Sequence, residues 1–168
     1  MSVEPVEISE VRASDRRRLL PILEESFEGL YLWHARRTLS SISLVKAARV
    51  DGEDAGVSML KIVAEKAGYV YYIAVARRFR GRGIGGRLLD DALSLFRRQG
   101  MENVYASVEE ENVESKALFS SRGFQPIPSN QLANEYGRVR AFIMSREMMV
   151  VPGEVLLRKR LGAAGPDR

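Results

Sequence analysis

Apolar positions change period several times along the chain, and each change predicts an element. Val6 to Val11 reads as a first strand, after which Ser14 or Asp15 is placed to cap a helix whose apolar residues Leu19, Leu20, Ile22, Leu23 and Phe27 recur at helical spacing. A second helix is expected from about Leu30 to Leu39. From Ser43 the runs SLVKAARVDG, AGVSMLKIVAE and GYVYYIAVA turn β-rich, with Asp51-Gly52 and Lys66-Ala67-Gly68 as turns between them, which predicts an antiparallel meander. Leu88, Leu89, Ala92, Leu93 and Phe96 then make a helical stripe that Gly100 ends. Asn103 to Glu109 reads as a strand, and Asn112 as the cap of a helix through Ala117, Leu118 and Phe119 that stops at Gly123. RVRAFIMSREM, Arg138 to Met148, is expected to be the final strand. Val155 to Leu161, VLLRKRL, is expected to be a basic extension, either packed on the domain or an amphipathic helix, and LGAAGPDR to fray. This order predicts an α/β protein with a mixed sheet.

Composition narrows the picture. A chain of 168 residues, 45% hydrophobic, suffices for one core, so residues 1–150 are expected to form one domain and 151–168 the extension. No apolar run approaches the roughly 20 residues of a membrane span, and MSVEPVEISE lacks a secretory layout, so a soluble, cytoplasmic protein without a membrane partner is expected. With no cysteine, disulfides, thiolate sites and cysteine nucleophiles are excluded, and the single His34 cannot build a histidine-rich zinc site; no metal is expected. His34, beside Trp33, reads either as a surface or packing residue or as a group that titrates near neutrality on a substrate-facing helix. Arginines cluster at 16–18, 36–37, 77–87, 97–98 and 158–160 in a chain of net charge +4, a pattern that fits either solvated faces or an anionic partner.

The stretch ARRFRGRGIGGRLL, Ala76 to Leu89, sharpens that choice. A strand ending in a glycine-rich turn that restarts as a helix presents backbone N–H groups to an anion, and Arg80, Arg82 and Arg87 add charge. Gly81 and Gly86 have the spacing of a nucleotide phosphate loop, but Arg87 and Leu88 stand where that loop needs lysine and a hydroxyl. Gly81, Gly83 and Gly86 match the dinucleotide fingerprint, but behind a meander and without its acidic partner on a later strand. In its whole context, Val75 to Gly85 resembles the acetyl-coenzyme A motif of the GNAT superfamily of N-acetyltransferases, Gln or Arg, two residues, Gly, one residue, Gly or Ala. Arg80, Gly83 and Gly85 take those places. Asn112, Ser115, Leu118, Phe119, Gly123 and Phe124 are similar to the family's Asn-led helix, with Ser115 for a frequent Ala and Phe119 for the usual Tyr.

The resemblance implies the GNAT fold: a mixed six- or seven-stranded sheet, splayed between strands 4 and 5 and flanked by about four helices. It implies acetyl-CoA as cosubstrate. The backbone of Ile73, Ala74 and Val75 would meet the pantetheine arm, and the stretch Arg80, Gly81, Arg82, Gly83, Ile84, Gly85 and Gly86 would hold the pyrophosphate. Asn112 would reach the pantetheine, with Ser115 and Phe119 on the same helix. Acceptor choice would lie near Phe27 to Arg37 and Ser129 to Tyr136. Transfer to an amine needs a base and a proton for the thiolate. Glu109 is the candidate base, or part of a solvated acidic turn; Tyr69 stands where relatives carry a Glu; and Tyr105 is a candidate proton donor. The expected activity is acetyl transfer to a primary amine, on a small molecule or on a protein lysine or N-terminus. The rival is a non-catalytic acyl-CoA sensor or nucleic-acid module, against which no nucleic-acid motif is present.

Overall fold

In a computed structural model that describes residues 5–162, the chain runs through seven strands and six α-helices. They are β1 (Val6–Glu10), α1 (Leu20–Ser26), α2 (Gly29–Ser41), β2 (Leu44–Val50), β3 (Glu53–Ala64), β4 (Ala67–Val75), α3 (Ile84–Arg98), β5 (Asn103–Glu109), α4 (Val113–Ser121), β6 (Gln125–Pro126), α5 (Gln131–Tyr136), α6 (Arg138–Met148) and β7 (Glu154–Arg160), with 3-10 stretches at Ala13–Leu19 and Arg77–Phe79. The sheet order is β1-β2-β3-β4-β5-β7-β6. Strands β4 and β5 run parallel, while β1 with β2, β2 with β3, β5 with β7 and β7 with β6 are antiparallel. No helix among the described residues is long and apolar enough to cross a membrane.

The parallel ladder is short. It runs from Ala67↔Asn103 to Val70↔Ala106, although β4 continues to Val75 and β5 to Glu109. Burial follows the ladder: residues 67–70 are buried and 71–73 only half-buried. The mixed sheet with its parting between strands 4 and 5 is therefore present, and segment 131–148 supplies two helices beyond the four expected.

Two stretches differ from expectation. RVRAFIMSREM is helix α6, not a strand, because Ala141, Met144 and Met148 at steps of three and four form its buried face. VLLRKRL is neither a helix nor an appended extension: strand β7 lies between β5 and β6, paired from Asn103↔Arg160 to Glu109↔Glu154 on one side. Of the expected frayed tail, residues 163–168 lie outside the described residues.

The chain forms two compact units, Met1–Lys61 with Tyr72–Ala92, and Ile62–Tyr71 with Leu93–Arg168. In the first, the helix after the glycine turn seats closely. A Cβ on Gly56 would stand 2.9 Å from Leu88 and 3.1 Å from Ile84, so β3 has no side chain where α3 approaches. Arg16, read as part of a basic cluster, is buried instead. It donates to the carbonyls of Leu39 at 3.0 Å and Ile42 at 2.6 Å, with longer bonds to Val11 and Ser43, and so satisfies chain that leaves α2. In the second unit, a Cβ on Gly68 would lie 2.6 Å from the Phe96 ring, which therefore packs directly on the β4 backbone. The core there gathers Val63, Tyr69, Tyr105, Met144, Met148 and Leu156.

Candidate functional site

The first unit carries the glycine turn. After β4, a single 3-10 turn buries Phe79, whose ring has the Arg78 and Arg82 guanidinium carbons 4.7 and 5.3 Å from its centroid. Arg78 also pairs with Glu53. Gly81 and Gly83 then take φ of +76° and +74°, which an L side chain would strain, and a Cβ at either would meet nothing within 4 Å. These glycines serve the backbone path and an open face, not internal packing. Arg87 N donates to Gly83 O at 3.1 Å, the first bond of α3, so the amides of Ile84, Gly85 and Gly86 form its opening turn at the positive end of the helix dipole. No acidic residue stands in that turn.

Arg80 behaves differently from its expected role as a charge for the ligand. Its Nε donates to Val75 O at 3.0 Å, and its Nη2 to Glu25 O at 3.1 Å and Ser26 Oγ at 3.3 Å. Arg77 N donates to the Glu25 carboxylate at 2.6 Å. Together these bonds fasten the end of α1 to the turn. The next residue, Phe27, meets Tyr72 edge to face at 5.1 Å, and the Tyr72 hydroxyl lies 2.7 Å from His34 Nδ1. Ile73 and Val75 are half-buried and Ala74 is buried. The link between His34 and Tyr72 escaped the sequence, because nothing marks two residues 38 apart as partners.

The second unit carries the remaining candidates. Asn112 Oδ1 accepts from Ser115 N at 3.0 Å, the cap that the sequence predicts, with Nδ2 as the side chain's donor group. Phe119 is buried edge to face against Phe124, 5.0 Å between centroids. Tyr69 is buried, its hydroxyl 2.7 Å from Ser107 Oγ. Tyr105 is fully buried and shares a 3.1 Å bond with Tyr136, which also accepts from Asn103 Nδ2 at 3.3 Å. Burial, then the Tyr136 bond, raises the Tyr105 pKa well above the ordinary phenol value, against a smaller opposing effect of Arg158. Burial, and next the charges of Glu147 and Glu154, pushes Tyr71 up to about 12. Glu109 is exposed at the end of β5, opposite Glu154 of β7. The three catalytic candidates are thus one exposed carboxylate and two interior phenols.

A family profile described as Acetyltransferase (GNAT) family matches residues 8–124. This chain belongs to that family. The match runs from β1 to the residue before β6, so α5, α6 and β7 lie beyond it. Among curated relatives, N-alpha-acetyltransferase RimI of Mycobacterium tuberculosis is 30% identical over 151 residues, 86% of this chain and 94% of that protein. A mycothiol acetyltransferase of Beutenbergia cavernae is 34% identical over 87 residues, 51% of this chain. The match spans only 29% of that relative and 41% of an uncharacterised Mycobacterium leprae protein that is 28% identical. Of solved structures, the ribosomal-protein-S18-alanine N-acetyltransferase of Escherichia coli has a TM-score of 0.70 at 17% identity, covering 98% of this chain and 99% of that one. The PaiA N-acetyltransferase of Thermoplasma acidophilum, solved with coenzyme A, also scores 0.70 at 16% identity, covering 93% and 99%. At such identities these two carry the fold.

Proposed function

We propose that this GNAT protein transfers an acetyl group from acetyl-CoA to a protein amino terminus. The observation that carries the cosubstrate is the turn of the first unit. A diphosphate needs several donors within reach of a surface free of side chains, and the amides of residues 81–86 meet both demands, with Gly81 and Gly83 open to solvent and Arg82 and Arg87 alongside. Because Val75 O accepts from Arg80, the reading assigns the pantetheine arm to the backbone of Ile73 and to the Val75 amide.

The chemistry asks little of the missing Tyr. The thiolate leaves with an ordinary pKa near 8.5, so Phe119 in place of a proton donor costs less than it would for an alkoxide. The developing oxyanion is met by backbone N–H of β4, where donors need no reorganisation. An amino-terminal acceptor is favoured by the relative of which this chain covers 94%, the RimI N-alpha-acetyltransferase. Glu109, Glu110, Glu111 and Glu114 would draw a cationic acceptor of either kind. Cytoplasmic work on newly made proteins accords with this reading.

The test measures free thiol release from acetyl-CoA with peptides bearing a free amino terminus, amino-blocked lysine peptides and small polyamines, beside Gly83→Glu. Release with the first class alone, lost in Gly83→Glu, is the expected result. Release with lysine peptides or polyamines alone overturns the acceptor assignment. Binding of coenzyme A with no turnover on any amine overturns the transferase reading in favour of a sensor.

A further inference from the structure

We propose that Tyr72 and His34 form the relay that takes the proton from the acceptor's ammonium group, with Tyr72 touching the amine and His34 receiving the proton. The proposal rests on the transferase reading above. It adds two residues that the glycine turn and the strand-end candidates do not involve.

Four observations converge. His34 is the chain's single histidine, and there is no cysteine, so it is the one side chain whose ordinary pKa suits taking a proton near neutrality. Its Nδ1 lies 2.7 Å from the Tyr72 hydroxyl, a bond between elements, and neither residue is buried out of reach: both are half-exposed. Tyr72 directly precedes Ile73 on β4, in the stretch 71–73 that loses full burial where the parallel ladder stops. Finally, the ring of Tyr72 is held from the side of Phe27, and Phe27 follows the α1 end that Arg80 and Arg77 fasten to the glycine turn. One chain of contacts therefore leads from the anion-binding turn to the imidazole.

The charges around the pair are mostly spoken for. On α2, Arg36 pairs with Glu24 of α1 and Arg37 lies over Trp33; Glu25 of α1 accepts from the Arg77 amide; from β4 the Tyr72 hydroxyl meets the imidazole. With Nε2 protonated, Nδ1 accepts from the Tyr72 hydroxyl, and the phenol oxygen accepts from the ammonium. One N–H proton passes to the Tyr72 oxygen as the phenol proton passes to Nδ1, giving a neutral amine and an imidazolium. The amine nitrogen then bonds to the acetyl carbon, the carbon–sulfur bond breaks, and the second amine proton leaves with the thiolate as thiol. The imidazolium returns its proton to water.

A matched pair of acceptors separates a proton role from a structural one. A glycyl peptide presents an ammonium at neutral pH; the same peptide with an aminooxyacetyl end presents an amine that is already neutral. Wild type, His34→Gln, Tyr72→Phe and Glu109→Gln are compared by kcat/KM on both, with coenzyme A affinity measured alongside. The relay predicts a loss of about 100-fold on the glycyl peptide for His34→Gln and Tyr72→Phe. It also predicts a change within threefold on the aminooxyacetyl peptide and unaltered coenzyme A affinity. Equal losses on both peptides, no loss on either, or a selective loss in Glu109→Gln alone overturns the relay and leaves the transferase intact. Failure of the wild type on both peptides overturns the amino-terminal reading and the relay with it.

Discussion

Each unit holds an inward-turned arginine, and the two are satisfied in opposite ways. Arg16, in the first, gives its donors to four backbone carbonyls, none of which titrates. Arg158, in the second, sits half-buried with Nη1 at 2.6 Å from both oxygens of Glu135, and that bond first of all holds the Glu135 carboxyl below its ordinary pKa. One clamp is fixed whatever the pH; the other, with the buried phenols beside it, is made of groups that ionise. The difference teaches that the same kind of side chain serves one unit as a clamp on backbone that no pH releases and the other as half of an ion pair that acid can open.

The largest blow to this contrast is Arg16→Ala. It leaves the carbonyls around the end of α2 without donors, and a loss of about 3 kcal/mol is expected in urea unfolding at every pH between 5 and 9. Gly83→Glu comes next, placing a side chain and a negative charge on the turn at φ +74°. Coenzyme A affinity should fall by about 100-fold, close to 2.7 kcal/mol, in calorimetric titration. In the second unit, Gly68→Ala drives a methyl into the Phe96 ring and should cost about 2 kcal/mol, read as a lower Tm. Asn112→Ala removes the α4 cap, about 1 kcal/mol, and tests whether the residue also serves the pantetheine arm, since only then does coenzyme A affinity fall too.

The smallest effects are those of pH. The folded Glu135 pKa is depressed, so its contribution is complete above the unfolded value and is lost as pH falls through the folded one; Glu135→Gln should flatten that acid limb. Tyr71 and Tyr105 have raised values, so above about pH 10 the unfolded chain gives up protons that the folded chain keeps, and stability declines toward pH 12. Tyr105→Phe should make the alkaline decline shallower.

Most of the first unit was legible because its signals are local. Turn pairs such as Asp51-Gly52 separate strands, and the glycine turn lies between a strand and an apolar helical stripe. The second unit hid two elements for physical reasons. In RVRAFIMSREM the strand alternation Val139, Ala141, Ile143 coexists with the helical set Ala141, Met144, Met148; the helical set is the one that is buried, and Val139 and Ile143 remain exposed. In β7, Leu156 and Leu157 are adjacent and both buried, so a strand with β5 on one side and β6 on the other shows no alternation to read. At the candidate site the glycine turn and the helix it opens were legible from the glycines and the apolar stripe that follows. The commitment of Arg80 to Val75, Glu25 and Ser26, and the meeting of His34 with Tyr72, depend on chain brought together from far apart.

The position of β7 also sets a timetable for synthesis. Strand β5 ends at Glu109, but the strand that covers its outer edge finishes at Arg160, so 51 further residues must be translated first. At about 5–20 residues per second that is roughly 3–10 s during which the nascent chain carries an uncovered strand edge of the kind that recruits other chains. The ribosome thus delivers the first unit whole well before the second can close, and the nascent chain is most open to chaperones in that interval.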